Sequence, residues 1–275
     1  MKKIGLSLGS GGARGLAHII LLEAFDELGI KPNVISGTSI GAIIGAVYAS
    51  GKSAIEIKEA FINKILNKSG RFIDFLNKSR ILRAIDLVDL EFRSGGFIKG
   101  EKFLKLLSEE IGVNKFSELQ IPLKITATNF LTKEQSIFDE GKLLPALKAS
   151  YSLPGLLAPV KINNNYYVDG GMVNPLPWDI IENDCDIIVA IDVLSNSKIK
   201  SMSDMPPAYD IFFSSFQIMQ HSIVYEKLKV SKPDILIRTN IKDIRLLDFL
   251  KADSIFEQSE KYKSKLKRKL ESLLG

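Results

Sequence analysis

A serine between two glycines is the strongest chemical signal in this chain. Residues 37–41 read Gly-Thr-Ser-Ile-Gly, after a predicted strand at 34–36 and before an apolar run that is predicted to be a buried helix. A G-x-S-x-G sequence between a strand and a helix is typical of a nucleophile elbow, whose sharp turn leaves no room for side chains at the two glycines. The helix N-terminus would favour the anion that forms when the serine attacks. We therefore expect Ser39 to be a nucleophile, with Gly37 and Gly41 supporting the turn.

A glycine-rich loop follows the first predicted strand and precedes a helix. Residues 9–15 read Gly-Ser-Gly-Gly-Ala-Arg-Gly. The dinucleotide-binding fingerprint does not fit, because its third glycine falls on Arg14, and the Gly-Lys-Ser/Thr of a phosphate-binding P-loop is missing. Consecutive small residues can instead turn several backbone N–H groups toward an oxyanion. The residues expected to form such an oxyanion hole are Gly11, Gly12 and Ala13, supported by Arg14 and Gly15.

Asp169 is the conspicuous candidate for the base that activates the serine. It directly follows a predicted strand at 166–168, and Gly170 and Gly171 come next, so another segment of the chain can approach it closely. A free aspartate, with a pKa of about 3.9, is a poor base at neutral pH. Burial beside the serine hydroxyl would raise that pKa and allow the carboxylate to accept the proton.

Two histidines offer alternatives to a pair of serine and aspartate. The order Ser39, Asp169, His221 is the order of the triad in α/β-hydrolases. However, His221 falls in the middle of a predicted helix instead of a loop after a late strand. We therefore expect His221 to have a packing or surface role. His18, which follows the glycine-rich loop by three residues, is expected to order that loop.

Taken in chain order, these motifs resemble the patatin-like phospholipase family. The match consists of residues 11–15, residues 37–41 and the Asp-Gly-Gly at 169–171, and residues 149–155 look like the family's Ser-x-Pro-Gly loop. It covers roughly residues 3–195 and departs from the family at Ser10, where the first glycine of the loop is usual. The resemblance implies a Ser39–Asp169 dyad, an oxyanion hole near Gly11 and hydrolysis of lipid esters through an acyl-enzyme, without a metal or another cofactor.

Several functions are compatible with such a dyad. The leading interpretation is a phospholipase A or lysophospholipase that acts on phospholipids or other acyl lipids. An acyltransferase, or a hydrolase of other esters or of thioesters, would use the same residues. A scaffold that kept the fold after losing activity is the alternative that is not an enzyme. No nucleic-acid partner is expected.

The order of predicted elements indicates how these motifs are positioned. Strands at 4–8, 34–36, 123–128, 136–139, 166–168, 187–191 and 234–238 are separated by segments of helical length, at 16–28, 40–48, 54–66, 101–111, 143–150, 178–183 and 208–229. This alternation predicts an α/β fold, a three-layer sandwich with a central, mostly parallel sheet covered by helices on both faces. No Pro-, Ser- or Gly-rich linker divides the 275 residues, so a single domain over 1–275 is expected.

Two segments have compositions that suit a lipid surface. Residues 68–100 are basic and apolar with weak periodicity, and predict either a mobile cap over an acyl-chain groove or a plain helical insertion. Residues 254–274 predict an amphipathic helix rich in lysine. This helix would either contact anionic lipid headgroups or dock on the domain with its charges in solvent.

Composition limits the remaining possibilities. No window approaches the roughly 18 uncharged apolar residues of a membrane span. The N-terminus has no A-x-A-like cleavage site, and the lone Cys185 fits a reducing compartment, so we expect a cytoplasmic protein that associates at most peripherally with membranes. With two histidines and one cysteine, the chain has no plausible zinc site, so any metal would need carboxylate ligands.

Overall fold

The computed structural model describes residues 2–67, 101–194 and 208–274. The cap expected at 68–100 lies outside these residues. The strands of the described ranges are β1 (Ile4–Leu8), β2 (Val34–Thr38), β3 (Leu123–Asn129), β4 (Gln135–Phe138), β5 (Val160–Ile162), β6 (Asn165–Asp169), β7 (Ile187–Asp192) and β8 (Ile235–Arg238). The α-helices are α1 (Ala17–Glu27), α2 (Ile40–Ala49), α3 (Ala54–Ala60), α4 (Glu101–Ile111), α5 (Leu143–Tyr151), α6 (Ala208–Val230) and α7 (Ala252–Leu274). A π-helical segment, Phe61–Asn67, continues α3.

All of these strands belong to one mixed sheet. Its order is β5-β6-β3-β2-β1-β7-β8, and β4 pairs with β3. The five strands β3, β2, β1, β7 and β8 are parallel to one another, whereas β4, β5 and β6 pair antiparallel. Leu8 at the end of β1 is level with Gly37 of β2 and Ile191 of β7, so the loops after these strands emerge side by side. The predicted α/β sandwich with a mostly parallel sheet is confirmed.

Strand residues alternate between two apolar layers. In β1, Leu6 and Leu8 pack in the large core that also contains α1, α2 and α7. On the opposite face, Ile188 and Ala190 of β7 pack against Trp178. Because both faces are covered, the parallel strands are almost continuously apolar, which is the pattern that the sequence displays.

Two local elements differ from the sequence prediction. The helix expected at 178–183 is a 3-10 turn, Trp178–Ile181, because Pro177 and the brevity of the segment leave room for a single tight turn. The strand β5 was not predicted. It forms a hairpin with β6 through a turn in which Asn163 has φ 54°, a conformation that asparagine tolerates better than most residues.

The C-terminal helix α7 docks on α1, which is the second of the two alternatives for residues 254–274. Leu266 and Leu270 are buried on its inner face. The ammonium group of Lys263 lies 2.7 Å from a carboxylate oxygen of Glu23, and that of Lys267 lies 2.9 Å from Glu27. These two lysines therefore hold α7 against α1, whereas Lys265 and Lys269 are exposed.

Within residues 2–67, 101–194 and 208–274, no single helix is long and apolar enough to cross a bilayer. The helices 40–49 and 54–64 reach the required length and composition together, but as a pair bent by 120°.

Candidate active site

Ser39 lies at the sharp turn between β2 and α2. Its backbone has φ 56° and ψ −121°, a sparsely populated conformation that non-glycine residues adopt mainly at functional sites. A Cβ atom at Gly37 would lie 2.6 Å from Cα of Ala42, and one at Gly41 would overlap with the carbonyl oxygen of Leu8. Both flanking glycines are thus required by close backbone contacts, as in a nucleophile elbow.

The strand β3 brings Ser39 and Asp169 together. Thr126 of β3 pairs with Thr38, and the next residue, Ala127, pairs with Asp169 at the end of β6. The Ser39 hydroxyl donates a hydrogen bond of 2.7 Å to Oδ2 of Asp169. Two residues that are 130 positions apart in sequence therefore form a direct pair.

Burial and hydrogen bonding define the state of the Asp169 carboxyl group. Its side chain is 3% exposed, and its Oδ1 accepts a hydrogen bond of 2.7 Å from the backbone N–H of Gly171. Burial raises the pKa of Asp169 to about 6, although the hydrogen bonds from Ser39 and Gly171 favour the charged form and act in the opposite direction. A Cβ atom at Gly170 would overlap with the carbonyl oxygen of Thr126, so this turn also requires glycine.

The glycine-rich loop leaves two backbone N–H groups available. The N–H of Ser10 donates to the carbonyl oxygen of Pro175 at 2.8 Å, and that of Ala13 donates to Leu246 at 2.8 Å. Among the described residues, no acceptor is bonded to the N–H of Gly11 or Gly12, and both residues line the same cavity as Ser39. The expectation that Ala13 contributes its N–H group to an oxyanion hole was wrong, because Leu246 already occupies that donor.

Side chains on either side of the loop hold it in place. The Arg14 guanidinium donates to the carbonyl oxygen of Ile244 in the segment after β8. His18 lies fully buried in α1 with its Nε2 2.8 Å from the carbonyl oxygen of Gly9, and burial lowers the pKa of His18 to about 4. The imidazole is therefore neutral, with its proton on Nε2, and donates to the loop. The anchoring roles expected for Arg14 and His18 agree with these contacts.

Further polar residues at the site were not identified as functional from the sequence. The Ser150 hydroxyl accepts a 2.9 Å hydrogen bond from the backbone N–H of Ser39 and donates one of 2.7 Å to the carbonyl oxygen of Thr126. The Thr128 hydroxyl donates to the carbonyl oxygen of Asp169 at 2.8 Å. Ser150 lies in the last turn of α5 and within the segment 149–155 that the motif comparison singled out, which was the available signal. Nothing in the sequence distinguished Thr128.

His221 is not positioned to form a triad. The direct hydrogen bond between Ser39 and Asp169 leaves no space for an imidazole between them, and the other carboxylate oxygen is bonded to Gly171. His221 lies in α6, near Asp192. The alternative of a Ser39–Asp169–His221 triad is therefore wrong for this structure.

A largely apolar cavity of about 200 Å³ opens next to the pair. Ser39 and Asp169 lie at its wall, together with Gly11 and Gly12 of the glycine-rich loop. Much of the remaining lining comes from one side each of α2, α3 and α4. Among the described residues, no three His, Cys, Asp or Glu side chains are grouped closely enough to hold a metal ion.

An α/β sandwich with a serine elbow that contacts an aspartate beside a glycine-rich loop has the parts of a serine hydrolase. Comparison with protein families matches residues 6–181 to the patatin-like phospholipases. The chain belongs to the patatin-like phospholipase family, which confirms the resemblance of its motifs.

Two curated relatives show how the chain compares in length. An uncharacterized NTE family protein of Mycobacterium tuberculosis is 32% identical over 206 residues, which are 74% of this chain and 52% of that protein. Lysophospholipase NTE1 of Saccharomyces cerevisiae is 33% identical over 191 residues, 69% of this chain and 11% of the yeast protein. The chain thus spans about half the length of the mycobacterial relative and a small part of the yeast one.

Solved structures share the fold at low sequence identity. VipD from Legionella pneumophila superposes with a TM-score of 0.52 and 14% identity, covering 96% of this chain and 67% of VipD. Human GIVD cytosolic phospholipase A2, solved in complex with a fluorophosphonate inhibitor, has a TM-score of 0.50 and 11% identity, covering 98% of this chain and 59% of that one.

Proposed function

We propose that this chain is a lipid acyl hydrolase of the phospholipase A or lysophospholipase type that acts through Ser39 and Asp169. The observation that carries the proposal is the 2.7 Å hydrogen bond from the Ser39 hydroxyl to a buried carboxylate at the wall of an apolar cavity. The yeast relative is named a lysophospholipase, which supports the same substrate class.

The first half of the reaction acylates the serine. Ser39 Oγ attacks the carbonyl carbon of the ester while its proton passes to Oδ2 of Asp169. The negative charge that develops on the carbonyl oxygen is stabilised by the N–H groups of Gly11 and Gly12, and by the N-terminus of α2. Collapse of the tetrahedral intermediate expels the alcohol, which takes the proton from Asp169, and leaves the acyl group on Ser39.

The second half of the reaction releases the fatty acid. Asp169, ionised again, removes a proton from a water molecule that attacks the acyl-enzyme, and the proton then returns to Ser39 Oγ. A pKa of about 6 suits this role. The carboxylate is still mostly ionised at pH 7 and is a stronger base than an ordinary aspartate.

We also propose that the enzyme contacts lipid surfaces peripherally. On α6, Phe216 and Gln220 line the catalytic cavity, while Phe212 and Ile218 of the same helix expose 54% and 66% of their surface. An apolar surface next to the cavity would allow a lipid to move from a membrane to Ser39 without crossing water. The exposed cations of α7 would add attraction to anionic headgroups.

Labelling with a fluorophosphonate, which reacts with activated serines, and fatty acid release from phosphatidylcholine and lysophosphatidylcholine test the hydrolase proposal. We expect wild type to be labelled and active, and Ser39→Ala to be neither. Ser39→Ala and Asp169→Asn should each lower the rate by at least about a thousandfold, and the double variant should be little worse because the two residues act as a unit. Transfer of the acyl group to an added alcohol, measured in the same reactions, separates a hydrolase from an acyltransferase.

His221→Ala is the matched control, because it removes a half-buried histidine outside the pair. It should retain activity within about twofold of wild type. Loss of activity equal to that of Ser39→Ala, in a variant that is folded, would contradict the two-residue mechanism. A folded wild-type protein that is neither labelled nor active on any ester would contradict the proposal that the chain is an enzyme.

A further inference from the structure

The walls of the catalytic cavity repeat one helical spacing. The first residue after Ser39 is Ile40, and α2 lines the cavity from there to Val47 with residues at positions i, i+3, i+4 and i+7. The helix α4 does the same from Phe103 to Glu110. This spacing places one side of each helix along the cavity. The cavity is therefore elongated along these helices.

On two of these helical segments, the last residue that lines the cavity is charged, whereas the lining residues before it are apolar. On α4, the apolar residues Phe103, Leu106 and Leu107 are followed by Glu110. The segment after α3 likewise ends its lining face with Lys64, after Ile57, Ala60 and Phe61. The opposite charges of Glu110 and Lys64 therefore lie where the two rows of apolar lining residues end.

These charges form a cluster of three residues. The ammonium group of Lys64 contacts Oε1 of Glu110, and that of Lys52 lies 2.8 Å from Oε2 of Glu110. The Glu110 side chain is 13% exposed, whereas Lys52 and Lys64 expose 34% and 43% of theirs. Burial acts to raise the pKa of Glu110, but the hydrogen bonds from the two lysines outweigh burial and lower it, so the carboxylate is charged.

The cluster lies at the end of the cavity opposite to the catalytic pair. Val47 follows Ser39 by eight residues, which is about 12 Å along an α-helix. Lys52 comes shortly after α2 ends at Ala49. An acyl chain whose carbonyl carbon is at Ser39 and which extends along α2 would thus direct its methyl end toward the cluster.

We propose that Lys52, Glu110 and Lys64 close the far end of the acyl-binding cavity and set the upper limit of acyl-chain length. A methyl end that reaches the cluster would have to separate or desolvate paired charges, which is unfavourable. Each methylene added before that point gains affinity from burial in apolar surroundings. The inference rests on the proposed ester hydrolysis.

A series of p-nitrophenyl esters of straight saturated acids, assayed below their micelle concentrations, tests this limit. For wild type, we expect kcat/KM to rise by up to about fourfold per methylene until the chain end reaches the cluster, and then to fall. Glu110→Ala should shift the optimum to longer chains, because it removes the carboxylate and opens space. Glu110→Gln, which keeps the size of the side chain, should shift the optimum less.

A control separates this effect from a general loss of surface charge. Glu226→Ala removes the carboxylate of an exposed ion pair with Lys229 on α6 and should leave the chain-length profile unchanged. Lys64→Met provides a second variant if Glu110→Ala does not fold, and it should also favour longer chains, since it replaces the charge with an apolar side chain of similar length. Rates are normalised to the acetate ester, and folding is checked by melting temperature.

The outcomes distinguish the two proposals. An unchanged optimum in folded Glu110→Ala or Lys64→Met would overturn the role of the cluster while leaving ester hydrolysis intact. A folded wild-type enzyme that hydrolyses none of the esters would instead overturn the proposed function.

Discussion

At the scale of single residues, Asp169 meets two opposing requirements. In the proposed mechanism it must be ionised to accept the proton of Ser39, yet its burial favours the neutral carboxyl group and raises its pKa to about 6. In the unfolded chain, the same group has a pKa of about 3.9. Between these two values the native state binds more protons than the unfolded state, so stability falls as the pH rises from about 4 to 6 and remains lower above 6.

Asp169→Asn should therefore stabilise the protein while it abolishes activity. A difference of about two pH units between the folded and unfolded pKa corresponds to about 3 kcal/mol at pH 8, where the penalty for the buried charge is fully present. Asparagine has the same shape and can still accept the hydrogen bond from Gly171. Denaturant unfolding at pH 8 and pH 4 measures the effect, which should be largest at pH 8 and nearly absent at pH 4. An equal gain in the free energy of unfolding at pH 8 and at pH 4 would show that removal of the buried charge is not the cause of the stabilisation.

The two catalytic candidates were predictable because each is surrounded by glycines that its turn requires. Gly37 and Gly41 mark the turn of Ser39, and Gly170 and Gly171 mark the turn of Asp169. The partner that occupies the Ala13 amide was not predictable. That contact comes from Leu246, more than 200 positions away, and no local pattern reveals it.

At the scale of elements, α2 is positioned by close contact with the end of β1. Gly41, in the first turn of α2, lies so near the carbonyl oxygen of Leu8 that a methyl group would overlap with it. Gly45, one turn later on the same helix, would place its added methyl group 3.2 Å from Cγ2 of Ile35, a side-chain atom that can move slightly. The two glycines of this helix therefore differ in whether their surroundings leave room for an added methyl group.

We expect Gly41→Ala to destabilise the protein by about 3 kcal/mol, because the backbone of β1 cannot yield without displacing the elbow. Hydrolysis should fall sharply as well. Gly45→Ala is the matched control and should change stability by less than about 1 kcal/mol, since the gain in helix propensity offsets the tight contact. Unfolding curves and ester hydrolysis of both variants provide the measurement. Equal effects of the two substitutions would refute the close-contact argument.

The elements themselves were largely predictable from continuous apolar runs and helical periodicity. The runs at 4–8 and 187–191 coincide closely with β1 and β7, because strands buried on both faces carry few polar residues. The three-residue strand β5 was missed, since Val-Lys-Ile is too short to display a period. Its existence depends on pairing with β6 and not on its own sequence.

At the scale of the whole molecule, the lysines of α7 fall into two pairs with different surroundings. Lys263 and Lys267 face Glu23 and Glu27 of α1, while Lys265 and Lys269 point to solvent. The four residues have the same charge and alternate along the sequence. The structure therefore separates the two lysines that pair with α1 from the two whose exposure suits the proposed contact with lipid.

Replacing Lys265 and Lys269 by Gln should weaken binding to anionic vesicles, by about 1 kcal/mol per lysine at low ionic strength, without lowering the melting temperature. Replacing Lys263 and Lys267 by Gln should lower stability by about 1 kcal/mol, because Glu23 and Glu27 lose their partners. Vesicle sedimentation and thermal unfolding of both double variants measure the two effects. Equal vesicle binding by the first variant and wild type would exclude a membrane role for these exposed lysines.

The contacts of Ala13 and Arg14 with residues 244–246 also bear on where this chain can be divided. The family match ends at residue 181, and a graft or fusion designed from that boundary would contain Ser39, Asp169 and the whole glycine-rich loop. It would omit the carbonyl groups of Ile244 and Leu246 that fix this loop. The transplantable unit is therefore longer than its motifs, and it extends at least through the segment that follows β8.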